Sequence, residues 1–135
     1  MARHVIRLRG PWQFLAHHRS GENHASKGEL AIGLSANNLS TAISMQATRN
    51  FHVPTGLSTD QRLSLALETT GDLRERVRLN STPLYFADSD DNFQIADIKG
   101  LLRPDNVLML EWSAEDCSGT WPPAAPASVE LWIDD

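Results

Sequence analysis

The stretch Phe93–Trp112, FQIADIKGLLRPDNVLMLEW, constrains the fold more than any other part of the chain. It predicts a strand, a short turn-rich loop and a second strand. Ile95 and Asp97 share one strand face, Leu101 and Leu102 follow, and Val107 to Leu110 is an apolar run. Pro104 fixes φ and has no N–H to donate, so the chain must leave a sheet there. Asp105 and Asn106 are residue types whose side chains satisfy the backbone of turns. A strand, a sharp break and a second strand fit an antiparallel sheet better than any helical arrangement.

Alternation with a period of two recurs along most of the sequence, as half-buried strands require. His4, Ile6, Leu8, Gly10, Trp12 and Phe14 fall on one parity and Arg3, Arg7 and Arg9 on the other, with a bend expected at Gly10-Pro11. Residues 18 to 29 are polar and are expected to form a loop. Leu30, Ile32 and Leu34 alternate as a short strand would, and residues 35 to 38 read as a turn. Thr41–Val53 is expected to place Ile43, Met45, Ala47, Phe51 and Val53 on one face. Leu63, Leu65 and Leu67 make the cleanest strand, with Ser64, Ala66 and Glu68 outward. Val77 and Leu79 point inward from a strand whose Arg74, Arg76 and Arg78 form a positive stripe. Asp88–Asn92 reads as an acidic loop, Ser113–Ala127 as a long irregular segment, and Val129, Leu131 and Ile133 as a last inward-facing strand. Many short strands separated by turn signals describe a sandwich or barrel.

A chain of 135 residues is expected to be a single domain, spanning 1–135. Its core should be large enough to need no metal or disulfide. Cys117 is the only cysteine, which rules out an intrachain disulfide. The N-terminus is charged and lacks the apolar core of a secretory leader, and no run approaches the length of a membrane span. A cytoplasmic protein without membrane contact is therefore the default expectation. The net charge of −5 argues against a nucleic-acid partner.

No enzyme class leaves its usual marker: G-x-S-x-G, a P-loop and G-x-G-x-x-G are all missing. A glycosidase needs two carboxylates about 5–10 Å apart across the scissile bond. Asp88, Asp90, Asp91, Glu115 and Asp116 are acids in expected loops, and nothing in the spacing pairs them. Asp88-Ser-Asp90-Asp91-Asn92 could gather oxygens around a structural calcium. It is not an EF-hand loop, because Phe93 replaces the glycine and Lys99 the bidentate glutamate. No other cofactor is implied. His17 and His18, adjacent on a strand, would face opposite ways and so not share a metal. His24 reads with them as polar, and Cys117 has no local signature of a nucleophile.

Four segments resemble, in order, the N-terminal sugar-binding domain of family 2 glycoside hydrolases, the β-galactosidase and β-glucuronidase group. Leu8-Arg-Gly10-Pro-Trp12-Gln-Phe14 resembles that family's L-x-G-x-W-x-F. Arg49-Asn-Phe51-His-Val53-Pro54 resembles R-x-F-x-V-P, and Val77-Arg-Leu79-Asn80-Ser-Thr-Pro-Leu84 resembles V-x-V-N-G-x-x-V. Ile95–Leu108 resembles F-D-I-T-D-L-L-x-P-G-x-N-x-L. The resemblance implies an all-β, galactose-binding-like jelly-roll sandwich of about eight antiparallel strands. Ser81 stands where the family has glycine, so the hairpin turn is expected to be reshaped. The catalytic barrel of those hydrolases lies outside this domain, so the resemblance implies a non-catalytic module.

A carbohydrate is the ligand such a module implies. Flat aromatic rings stack on sugar C–H faces, which singles out Trp121, in a loop beside Glu115 and Asp116. Trp132 joins it, since its parity is opposite to Val129, Leu131 and Ile133 and so predicts exposure. With Asp88 and Asp90 these form the candidate ligand site, on loops at one end of the sandwich. The alternative is a protein-interaction or assembly domain, with an exposed Trp132 on the last strand anchoring a homodimer.

Overall fold

The computed structural model describes residues 2–30, 42–69, 75–115, 121 and 126–135. The strands among them are β1 (Arg3–Arg7), β2 (Trp12–His18), β3 (Asn23–Gly28), β4 (Ala42–His52), β5 (Arg62–Glu68) and β6 (Arg76–Leu79). They continue with β7 (Thr82–Pro83), β8 (Asp88–Asp90), β9 (Phe93–Asp97), β10 (Asp105–Ser113) and β11 (Ser128–Asp134). They form two antiparallel sheets, one of five strands in the order β1-β11-β5-β9-β8 and one of six in the order β3-β2-β4-β10-β6-β7. The all-β sandwich expected from the sequence is present, with eleven strands among the described residues where about eight were expected. The expected pieces at Ile32, Leu34 and residues 35–38, and Arg74, lie outside the described residues. No described helix is long and apolar enough to cross a membrane.

The inward parity of each long strand builds one core between the sheets. Trp12, Phe14, Met45, Leu65, Leu79, Leu110, Trp112 and Leu131 are among its buried members. Gly10-Pro11 marks the corner where the chain passes from one sheet to the other, β1 lying in the five-stranded sheet and β2 in the six-stranded one. Glycine fits this corner because a Cβ at Gly10 would sit 3.2 Å from the carbonyl oxygen of Gly28. The Trp12 indole N–H donates to the Leu8 carbonyl at 3.3 Å and so ties the two sides of the corner together.

Three local expectations change. Residues 23–28, expected in a loop, pair with β2 as an edge strand. Backbone pairing does not require apolar side chains, and a polar edge such as Asn23-His24-Ala25 resists pairing with other chains. Asp88–Asn92 is a hairpin, not a loop: β8 pairs with β9, and Asp91 takes φ 53° in the turn. Ile43 is 40% exposed instead of facing the core. The register steps from His17↔Ser44 to His18↔Ala42, so Ile43 sits in a bulge and the parity shifts by one.

The Phe93–Trp112 stretch forms β9, a 3-10 turn at Lys99–Leu101, and β10. Asn106, 1% exposed, holds the turn together. Its Oδ1 accepts from the Arg103 N–H and the Asn80 amide, both at 2.9 Å. Its Nδ2 donates to the carbonyls of Arg103 at 2.8 Å and Phe51 at 3.4 Å. Asn80 returns the tie across the sheet, accepting from the Val107 N–H at 2.9 Å and donating to the Leu101 carbonyl at 3.1 Å. Lys99 reaches the other way and donates to the carbonyls of Ser58 at 2.7 Å, Thr59 at 2.9 Å and Gln61.

Asn80 and Ser81 close the β6–β7 hairpin with φ of 51° and 71°. Two left-handed residues in a two-residue loop are what a tight antiparallel hairpin needs. The turn is thus kept rather than reshaped, with Ser81 in a conformation that glycine adopts without a Cβ penalty. Ser81→Gly is expected to stabilise the protein by up to about 1 kcal/mol. A rise in the midpoint of urea unfolding would check this, and a fall would show that Ser81 contributes contacts outweighing its strain.

Candidate functional site

The loops singled out by sequence leave the sandwich at one end. There β5 ends at Glu68, which pairs with Phe93 and Ser128, and β10 ends at Ser113. The Thr69 N–H donates to the Asn92 carbonyl at 2.8 Å and the Ala127 N–H to the Glu68 carbonyl at 2.7 Å, which fixes the hairpin and the entry to β11 against β5. Glu115 is exposed where β10 ends, and Trp121 is half-buried and packed against the main core. Asp116 lies outside the described residues. Asp88 and Asp90 are exposed on β8 and share its outward face with Ile95 and Phe93, their register partners on β9.

Trp132 departs most from expectation. It does point away from the main core, as its parity requires, yet it is 4% exposed. The outer face of the five-stranded sheet carries a second, smaller cluster that covers it. The Phe93 ring packs on Trp132 at 4.9 Å between centroids, tilted by 55°. The Arg3 guanidinium lies 4.0 Å from its ring centroid, a cation–π contact. Ser64, beside Trp132 in register, and fully buried Ala66 leave room on β5 for the indole. Its N–H donates to Glu130 Oε1 at 2.8 Å, while Glu130 Oε2 accepts from the Ser128 hydroxyl at 3.2 Å and lies 3.6 Å from Arg7 Nε. Arg3 donates from Nε to Asp134 at 2.7 Å and lies 3.7 Å from Asp90. The hydrogen bond to Asp134 is the main reason the Arg3 guanidinium lies above its ordinary pKa; burial opposes it, and the charges of Asp134 and Asp90 add to it. Asp90 thus belongs to a salt-bridged cover over Trp132.

The remaining candidates are dispersed. His17 Nδ1 is 2.8 Å from Asn23 Oδ1, and His24 is exposed on the edge strand. No group of three His, Cys, Asp or Glu among the described residues is placed to hold a metal ion. Arg78 Nε is 3.4 Å from Glu111 on β10, which gives the positive stripe an acidic neighbour on the adjacent strand.

Two of the surface cavities among the described residues lie away from the loop end. One, of about 710 Å³, opens between β1 and the β4/β10 pair, lined by Ile6, Arg7, Arg49, Phe51, His52 and Asp105 among others. Its polar groups are largely engaged: Arg49 Nε donates to the Arg9 carbonyl at 2.6 Å, and His52 Nδ1 is 2.6 Å from Asp105. The other, of about 470 Å³, lies on the outer face of the six-stranded sheet across β3, β2 and β4. Gln13, Leu15, Lys27, Gln46 and Thr48 line it. The alternation of each strand points first to its buried face and so away from these residues. The signal was the complementary parity, which places two amides, a hydroxyl and an amine on one side.

No protein-family model and no curated protein sequence matches the chain. Solved structures do. The FMN-binding β-glucuronidase from Facaelibacterium prausnitzii L2-6 superposes with a TM-score of 0.65 at 23% identity, over 97% of this chain and 22% of that one. A β-glucuronidase from an uncultured Clostridium sp. gives 0.66 at 16% identity, over 98% of this chain and 29% of that one. The rhamnosidase from Novosphingobium sp. PP1Y gives 0.63 at 17% identity, over 99% of this chain and 15% of that one. The chain thus spans less than a third of the length of these three enzymes. In fold, it resembles a β-sandwich portion of glycosidases of the β-glucuronidase group, as its four sequence segments imply.

Proposed function

We propose that residues 1–135 are one β-sandwich module that binds carbohydrate and performs no hydrolysis itself. The observation that carries this reading is the recurrence of the fold, over nearly the whole chain, within β-glucuronidases and a rhamnosidase. These enzymes act on different sugars, and the sandwich is a minor part of each. A fold of this kind hosts many functions, so the ligand must be argued from the surface. The acids at the loop end fit recognition better than glycoside cleavage. Glu115 and Asp88 are exposed, and Asp90 is engaged by Arg3. A general acid needs a protected setting that raises its pKa. The rival homodimer loses its proposed anchor, because Trp132 is buried.

Titration of the protein with a panel of oligosaccharides is expected to show saturable binding, with no release of nitrophenol from nitrophenyl glycosides. Trp121→Ala tests the loop end and should weaken binding if the exposed part of the half-buried indole meets a sugar ring. No binding to any glycan, together with a concentration-dependent dimer, would favour the assembly reading. Turnover abolished by Asp116→Asn would make the chain an enzyme.

A further inference from the structure

The groove on the outer face of the six-stranded sheet has the composition of a built ligand site. Register places its residues in two adjacent rows. Lys27, Gln13 and Thr48 form one row, and Ala25, Leu15 and Gln46 the other. Adjacent strands are about 4.8 Å apart and outward residues on one strand about 6.8 Å apart. The polar ends therefore stand around a short apolar strip made by Leu15 and Ala25. The volume, about 470 Å³, falls within the range of roughly 300–1,000 Å³ typical of small-ligand sites.

The polar groups are uncommitted. Among the described residues, the side chains of Gln13, Gln46 and Lys27 have no hydrogen-bond or ion-pair partner in the protein. Thr48 Oγ1 makes one long contact, 3.5 Å to the Gln13 carbonyl. Each glutamine amide offers donors and an acceptor together, which suits a hydroxyl that must both give and accept. Leu15 and Ala25 offer an apolar surface to the C–H side of a ring.

Charge narrows the class of ligand. The outward positions of this sheet carry Lys27, Arg76 and Arg78 as well as Asp105 and Glu111, and both acids lie on β10, away from the groove. Lys27 is the cation at the groove itself. We propose that this groove binds an acidic oligosaccharide, its carboxylates meeting Lys27 and its hydroxyls the amides of Gln13 and Gln46. The site rests on the carbohydrate-binding reading but lies apart from the loop end that carries Trp121.

The test is calorimetric titration with hexagalacturonate and, as the neutral counterpart, its fully methyl-esterified form. It uses the natural chain, Lys27→Ala, the double variant Gln13→Ala/Gln46→Ala, and Trp121→Ala. All three groove positions are surface side chains, and unchanged thermal unfolding will show that the variants fold. The acidic hexamer is expected to bind about tenfold or more tightly than the neutral one at low salt, a preference worth one charge-assisted contact. Lys27→Ala should erase that preference, added salt should weaken it, and the double variant should lower affinity at least about tenfold. Equal affinity for both hexamers overturns the acidic class. Binding that survives all groove variants but falls in Trp121→Ala overturns the groove and leaves the carbohydrate-binding module standing. Absence of binding to these and to a broader glycan panel overturns both.

Discussion

Trp132→Ala is expected to destabilise the protein by about 3–5 kcal/mol, the range for truncating a fully packed aromatic. An exposed tryptophan on an outer sheet face would change stability by no more than about 0.5 kcal/mol. The gap between these two figures makes the experiment decisive. Removing the indole withdraws the ring that packs on Phe93 at 4.9 Å and the surface under the Arg3 guanidinium at 4.0 Å. It also opens solvent onto Ala66 and removes one donor from buried Glu130. Trp132→Phe should fall between, keeping most of the ring contact while losing the 2.8 Å hydrogen bond. Equilibrium urea unfolding, read by circular dichroism, measures both. A cost below about 1 kcal/mol for the alanine variant would mean that the outer cluster adds little to folding.

Asn106→Ala is expected to have an effect of similar size, about 3–5 kcal/mol, with the thermal midpoint falling by on the order of 10 °C or more. The side chain is 1% exposed and makes two bonds through Oδ1 and two through Nδ2. Truncation strands the Arg103 N–H and carbonyl and frees one arm of Asn80 inside the protein. Each buried group left without a partner costs roughly 1–3 kcal/mol, less where water enters. Asn106→Asp separates hydrogen bonding from shape. It keeps the acceptor for Arg103 and Asn80 but loses both donors and puts a carboxylate among carbonyls. It should be at least as damaging as alanine near neutral pH. If thermal melting shows either variant within about 1 kcal/mol of the natural protein, the network is redundant with backbone pairing.

Asn106 and Trp132 differ in how much of their setting is legible in the sequence. Asn106 stood in a recognisable turn after Pro104, and its segment led directly to β9, the 3-10 turn and β10. Leu63, Leu65 and Leu67 announced β5 because period-two alternation maps directly onto burial. Trp132 misled because parity reports which way a side chain points, not what lies above it. Its cover comes from Arg3 and Phe93, distant in sequence and joined only by the order β1-β11-β5-β9. A hint was present: Ser64 and Ala66 are small, and Val129–Ile133 is apolar on both parities save Glu130. Ile43 failed for a different reason, since a bulge moves parity by one without a mark in the sequence. The polar groove was missed because Gln13, Gln46 and Lys27 become neighbours only when β3, β2 and β4 are set side by side.

β1 and β11 run antiparallel, with Arg3 opposite Asp134 and the Asp135 N–H donating to the Ala2 carbonyl at 3.3 Å. Tension applied between Ala2 and Asp135 therefore meets the ladder end-on. It opens the backbone bonds one after another, as a zipper does, instead of loading the whole strand pair in shear. The first rungs carry the Arg3–Asp134 pair, and Arg3 is also the residue lying over the Trp132 ring. Mechanical peeling from this edge would uncover the outer aromatic cluster before it reached the main core.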